Sequence, residues 1–552
     1  MNRDTDARHQ ARAWTLLLLT CGIAWFALLG LRPLYNPDEG RYAQIPAEML
    51  ASGDWTVPHL NGGVYLEKPP LQYWATAASL RLFGHNEWAA RFVTAASAAG
   101  ALVFVFLVGR RLWSATRGLA AAAMTASMLL YVFMGQLMTL DMSLSCWLTA
   151  AIAAFCLAQA DRDTDPARSR RWMLACWAAM GLATLTKGLI GIVLPGAVLV
   201  LYTLLQRDWN AWRHLNLLRG LALYLAIVLP WFILVERAHP GAFDFLIIRE
   251  HFQRYLTKMH DRYQPWWYFL MILAIGSLPW LPQSWRALLG GWRASVPAGR
   301  FDGARVLWVS AAFTLLFFSL SDSKLAPYIV PVLAPLALLG ARDDARGVAD
   351  LRLAAGLQLL LALAIAVALP LYWRRTVGAD ATWTRATLTP WVVGMAALMA
   401  AGGGYALASV GRSVGTARRA LAAAGFAGPL LLLAGGGTAI AGRYSARPLL
   451  ERAGTLDAGA PIYTVETFDW TLPFYTGRVV IPVVYRGELD YGLKSSPAEA
   501  GIATVPEFEA RWSAAASGYA LLPHATAARL ARDGLPMREL AHDFDNVFVS
   551  RR

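Results

Sequence analysis

The segment Tyr35-Asn-Pro-Asp-Glu-Gly-Arg-Tyr42 sets two adjacent carboxylates, Asp38 and Glu39, a few residues after the first long apolar run, Trp14 to Leu31. Carboxylates at the end of a membrane-length run sit at the membrane surface, beside any lipid-linked substrate, where they can take a proton or face developing positive charge. The chain continues through Asp54 and Trp55 to Tyr65-Leu-Glu-Lys-Pro-Pro-Leu-Gln-Tyr-Trp74, so Asp38, Glu39, Arg41, Asp54, Glu67 and Lys68 share one aromatic-rich stretch. The blander reading is an acidic turn, because Asn-Pro-Asp initiates turns well. The charged neighbours favour chemistry.

Five groups point the same way. Asp141, in Gly135-Gln-Leu-Met-Thr-Leu-Asp-Met-Ser143, opens an apolar run and serves as a helix cap, an active-site carboxylate, or both. Lys187, in Leu185-Thr-Lys-Gly188, is confined between two runs almost without charge; it either snorkels or meets an anionic lipid phosphate. Lys324 and Tyr328, in Ser321-Asp-Ser-Lys-Leu-Ala-Pro-Tyr328, lie in another short connection, where Tyr328 is equally an interfacial belt residue. Glu67-Lys68-Pro-Pro70 is either an exposed ion pair or a phosphate grip oriented by Glu67. His251, in Arg249-Glu-His-Phe252, makes with Glu67 a two-ligand site for an optional divalent ion, without any dedicated metal spacing.

These residues need a membrane scaffold. The 552 residues are 57% hydrophobic and 16% charged, with a mean hydropathy of +0.41, which indicates a polytopic membrane protein. With about 20 residues per span, we read about thirteen transmembrane helices, centred near residues 23, 100, 126, 151, 178, 197, 227, 274, 312, 333, 363, 399 and 431. The first run is read as a retained helix, since no small-residue cleavage site follows it. The net charge of +14 is spread over many loops without a nucleic-acid motif, so nucleic acid is not an expected partner. Arg110-Arg111, Arg168 to Arg171 and Arg418-Arg419 mark the inside, which turns the acidic loop, Asp141, Lys187 and everything beyond residue 442 outward. In a bacterium the outward side is the periplasm. The four cysteines lie in apolar runs and suggest packing, with no disulfide framework.

The expected organisation is an all-α transmembrane domain, residues 1–441, with outer loops 32–91 and 236–266, and a soluble α/β domain, residues 442–552. Tyr42, Ile45, Met49 and Leu50, then Leu71, Trp74, Ala78 and Leu82, recur at helical spacing and predict interfacial helices in the first loop. In the tail, residues 461–465, 479–484, 518–522 and 546–550 read as strands, and 505–516 and 525–533 as helices.

Pro37-Asp-Glu-Gly-Arg-Tyr42, Met49-Leu-Ala-Ser-Gly-Asp-Trp55, Glu67-Lys-Pro-Pro70, Leu185-Thr-Lys-Gly188 and Glu250-His-Phe252, taken in order over residues 14 to 442, resemble the C-type glycosyltransferases related to the protein O-mannosyltransferases. Within that superfamily the chain is most similar to the bacterial branch acting on lipid A. The resemblance implies transfer of 4-amino-4-deoxy-L-arabinose from undecaprenyl phosphate to a lipid A phosphate at the outer side of the inner membrane, with inversion and no required cofactor. It places Asp38 and Asp141 at acidic active-site positions and Arg41, Lys68, Lys187 and Tyr328 at positions suited to the donor phosphate. A rival acceptor is a protein hydroxyl, as in O-mannosylation, with Asp38 as general base. A lipid-linked sugar transporter or flippase fits less well, because the polar residues gather at one surface and no repeat is visible.

Overall fold

Within hydrocarbon the backbone must satisfy its own polar groups, and the apolar runs do so as helices. The computed structural model describes residues 3–247, 263–293, 295–342, 347–375, 379–485, 487–489, 492 and 501–551. Every expected span centre falls inside a helix, from Arg3–Ala27 to Val414–Leu431. Among the described residues, seven helices are by themselves long and apolar enough to cross a membrane: Glu87–Leu112, Leu140–Asp161, Leu217–Ala238, Gly303–Leu320, Gly347–Arg375, Arg385–Val410 and Val414–Tyr444. The remainder are shorter, more charged or broken. Ala115–Ala126 and Leu129–Gln136 meet at a 68° bend, and Tyr268–Gly276 stops before Leu281–Gly290.

The two breaks lie against each other, and each satisfies what the other exposes. The Leu129 N–H donates to the Leu278 carbonyl (3.1 Å), while the Trp280 indole donates to the Ser127 hydroxyl (2.8 Å). Interrupted helices persist at membrane depth only where the released groups find such partners.

Charges gather at the two ends of the bundle. At one end Asp161 accepts from Arg111 and is ion-paired with Arg168, and fully buried Asp208 accepts from Arg162 (2.8 Å) and from the Tyr202 hydroxyl (3.0 Å). These are the arginine-rich connections that the charge bias assigns to the inside. At the other end lie the helices Asp38–Ser52 and Leu71–Phe83 of the first outer loop. Between them is a short hairpin, β1 (His59–Leu60) and β2 (Gly63–Val64), turned by Asn61 and Gly62. Both turn residues have positive φ, 54° and 80°, as a type I′ Asn-Gly turn requires.

The soluble tail holds a five-stranded sheet of β3 (Ile462–Val465), β4 (Ile481–Val483), β5 (Tyr519–Pro523), β6 (Arg538–His542) and β7 (Asn546–Ser550), in the order β4-β3-β5-β7-β6. β3 runs parallel to β4 and β5, and β7 runs antiparallel to β5 and β6. Period-two alternation gives two covered faces. Tyr463, Ala520, Leu522, Val547 and Val549 pack with Phe508 and Trp512 on one side, and Ile462, Leu521 and Phe548 pack with Leu449 and Leu472 on the other. The strand and helix expectations hold within a few residues, and β6, a polar edge strand, is additional.

This domain docks on the outer loop. Ile45, Met49, Tyr65 and Tyr73 share an apolar cluster with Phe468 and Trp470, so the apolar stripe of Asp38–Ser52 is covered by protein. The Asn61 side chain pairs in both directions with the Val480 backbone (2.7 and 2.8 Å), and Arg447 reaches Glu87 (2.6 Å). Contact is closest at Gly40, where a Cβ would lie 2.5 Å from the Trp470 carbonyl. Gly40→Ala is therefore expected to lower the thermal unfolding temperature of the detergent-solubilised protein by an overpacking cost of about 1–3 kcal/mol. Gly404→Ala, at a helical position with nothing within 4 Å, should leave it unchanged or raise it. Equal melting temperatures for the two variants would contradict the packing argument.

Candidate active site

The outer loop is held from beneath by Glu39. This carboxylate is 2% exposed and accepts from Arg32 (2.6 and 2.9 Å) and Arg91 (2.8 and 2.8 Å) through both oxygens. It also accepts the backbone N–H groups of Tyr35 (3.1 Å) and Met138 (3.0 Å). Burial alone would raise its pKa, but the two guanidiniums reverse the effect and hold the carboxyl well below the usual range. The catalytic expectation for Glu39 thus gives way to a structural one: both oxygens are saturated and no water reaches them.

Its neighbour points outward. Asp38 has a side chain 49% exposed and is ion-paired with Arg41, which is buried. The Arg41 guanidinium lies over the rings of Tyr42 (5.0 Å) and Trp470 (5.8 Å). Glu67 accepts from the Tyr65 hydroxyl (3.2 Å), and the buried Lys68 ammonium donates to the Glu67 carbonyl (2.6 Å). Asp54 closes a turn through the N–H groups of Thr56 and Val57 (2.8 and 3.0 Å).

Asp141 sits in the first turn of Leu140–Asp161, whose cap residue is Thr139, and forms an ion pair with Lys187 at the end of Pro166–Lys187. The Lys187 ammonium also lies over the Tyr328 ring (4.8 Å). These two halves meet around Tyr42, whose ring packs against an apolar cluster that includes Tyr65 and Leu140, close in sequence to Glu67 and Asp141. Burial pushes its hydroxyl up, Arg41 lowers it, and Asp38, Glu67 and Asp141 each raise it further. One ring therefore senses carboxylates from three separate segments. Lys324, expected at the substrate, is buried and donates to the carbonyls of Gln264 (2.9 Å) and Ser321, contacts that brace a loop. His251 lies outside the described residues. Among the described residues no three His, Cys, Asp or Glu side chains come together to hold a metal, and Glu67 is the one ligand of the expected ion site that can be placed.

The profile of the dolichyl-phosphate-mannose-protein mannosyltransferases matches residues 67–234, which include Glu67, Lys68, Asp141 and Lys187, and that of the aminoarabinose transferase C-terminal domain matches 451–551. ArnT from Cupriavidus metallidurans, solved with undecaprenyl phosphate, is 32% identical and superposes with a TM-score of 0.85 over 98% of both chains. The chain belongs to the ArnT aminoarabinose transferase family. An undecaprenyl phosphate-α-4-amino-4-deoxy-L-arabinose arabinosyl transferase of Sodalis glossinidius is 40% identical over 56% of this chain, and the match spans about half of that relative (54%). The archaeal oligosaccharyltransferase AglB from Archaeoglobus fulgidus, 12% identical with a TM-score of 0.50 over 92% of this chain and 69% of its own, shares the fold.

In this ArnT family member, Arg32, Arg91, Asn36 and Trp470 belong to the site's support and were not singled out in the sequence. Arg91 carried a usable signal: an arginine four residues into an apolar helix is buried only if a carboxylate meets it. Removing Glu39's charge strands two buried cations, so Glu39→Gln is expected to destabilise the protein by about 3–5 kcal/mol at pH 7. Because the folded-state carboxyl is held below its ordinary value, its contribution is complete above the ordinary carboxylate range and is lost only as pH falls below it. The lead of the wild-type melting temperature over that of Glu39→Gln should be flat from about pH 8 to 5 and should shrink in stronger acid. A lead that stays constant into acid would remove the triad from the stability argument.

Proposed function

We propose that the chain transfers 4-amino-4-deoxy-L-arabinose from undecaprenyl phosphate to a phosphate of lipid A, with inversion, at the periplasmic face of the bacterial inner membrane. The observation that supports this is the convergence of Asp38, Arg41, Glu67, Asp141 and Lys187 around Tyr42, in a family whose Cupriavidus metallidurans member was solved with undecaprenyl phosphate. The bond from the anomeric carbon to undecaprenyl phosphate breaks, and its electron pair leaves on the phosphate oxygen. A lipid A phosphate oxygen attacks from the opposite face; being anionic already, it needs no base.

The chain's own residues supply electrostatics. Lys68 and Lys187 neutralise the departing phosphate beside the Tyr328 ring, with Arg41 adding its positive field from behind Asp38, while Asp38 and Asp141 hold the donor's ammonium and the positive charge that grows at the anomeric carbon. Lys187 and Asp141 rest on each other without substrate, so the donor's opposite charges replace an existing pair. The lipid carrier supplies activation and no nucleotide is involved. A divalent ion at Glu67 and His251 would add charge next to the phosphate and carries no step here.

The mannosyltransferase match keeps a second acceptor in view, a protein hydroxyl deprotonated by half-exposed Asp38. Purified protein should add an aminopentose to lipid A, seen by mass spectrometry, and should leave serine- and threonine-rich peptides unmodified when offered polyprenyl-phosphate mannose. Asp38→Asn is expected to lower kcat by about 10²–10³-fold with the fold intact. Normal turnover by that variant, or mannosylated peptide in place of modified lipid A, would overturn the assignment.

A further inference from the structure

We infer that the Asp469–Trp470 loop of the C-terminal domain is a positioning element for Asp38, acting through Arg41 and Asn36; this rests on the reading above that Asp38 faces substrate. Asn36 stands two residues before Asp38 and is gripped from the C-terminal side through its side chain and its backbone N–H. Its side-chain oxygen accepts the Trp470 N–H (2.7 Å), its amide faces the Asp469 carboxylate, and its backbone N–H donates to the Tyr444 carbonyl (2.8 Å).

Arg41 is the second link. Its side chain is 6% exposed although that of its partner Asp38 is 49% exposed. The guanidinium reaches the carboxylate from within, while the Tyr42 and Trp470 rings wall its other sides at 5.0 and 5.8 Å. An aromatic face attracts a cation and excludes water from it, so the guanidinium keeps one direction. Trp470 is itself rigid: Phe468 packs at 4.8 Å and Tyr485 at 6.4 Å, and Asp469 Oδ1 accepts the N–H groups of Thr471 and Leu472 together with the Thr471 hydroxyl. The absence of space for a Cβ at Gly40 fixes the spacing between loop and helix. The soluble domain therefore completes the site from above.

The full-length protein with Trp470→Ala is expected to lose at least tenfold in kcat while KM for the undecaprenyl-phosphate donor stays within about threefold, and Trp470→Phe should recover most of the loss. A substrate-free readout accompanies this. Phenylglyoxal followed by peptide mass spectrometry should label Arg41 in Trp470→Ala and spare it in wild type and Trp470→Phe. Where Trp470→Ala does not fold, Trp470→Leu is read in its place with the same outcomes. A raised KM at normal kcat, equal loss in the alanine and phenylalanine variants, or a protected Arg41 in Trp470→Ala would overturn the inference. A wild-type protein inactive toward aminoarabinose would instead remove the functional reading and leave the labelling result to judge the loop.

Discussion

Glu39 is a carboxylate removed from water, and the shape of the outer loop follows from how its charge is met. Taking an ion out of water costs several kcal/mol, which an opposite charge offsets only with good geometry and the remaining lone pairs filled. Arg32 and Arg91 supply both conditions, and the Tyr35 and Met138 N–H groups take what remains. Arg91 also donates to the carbonyls of Leu29, Arg32 and Pro33, all within 2.6–2.8 Å. The triad thus joins the exit of the first membrane helix, the start of Glu87–Leu112 and the turn before Leu140–Asp161. Asp38 is placed by its neighbour's burial: successive helical residues diverge by about 100°, so a fixed Glu39 points Asp38 away from the core.

The opposite side of this short helix belongs to the soluble domain. Asn36, Gly40 and Arg41 meet Asp469 and Trp470, and Asn61 meets Val480. A segment held below by ion pairs and above by backbone hydrogen bonds and rings has few ways to move, which is what a site working by preorganised charge requires. Glu48 belongs to the same frame. Burial raises its carboxyl, while the Gly62 and Asn61 N–H groups and Gln44 hold it in place beneath the β1–β2 turn.

Much of this was legible in the residues. Long apolar runs had to be helices, and the alternation in the tail had to be a sheet, since each follows from local period alone. Asp38, Arg41, Glu67, Asp141 and Lys187 stand out because charge beside a membrane run is costly without use, and the structure joins four of them in the pairs Asp38–Arg41 and Asp141–Lys187. The failures have equally local causes. Glu39 shared residue type and position with Asp38, and only the angle between them separates a buried role from an exposed one. Lys324 lay on the right side, but its ammonium found two carbonyls first. The Asn61-Gly62 pair is a hairpin signal, but its flanking strands are two residues each, too short to show a period of their own. Trp470 lies more than four hundred residues from Asn36, and no period or spacing in one chain relates such distant positions.

The resting site is electrically closed: Asp38 is paired with Arg41, and Asp141 with Lys187. An unpaired charge at the edge of a bilayer would draw in water or counter-ions and have to shed them before each turnover. A donor carrying its own cation and anion can exchange partners with an existing pair, so charge is conserved within the pocket as the headgroup enters. Such exchange demands different freedoms of the two pairs. Arg41, with a side chain 6% exposed, is enclosed by Tyr42 and Trp470 beside Asp38, whereas the Lys187 side chain, over the Tyr328 ring, is 18% exposed and the more open of the two cations. In the proposed reaction the more open Asp141–Lys187 pair is the one suited to admit the phosphate, and the enclosed Asp38–Arg41 pair the one suited to orient the sugar.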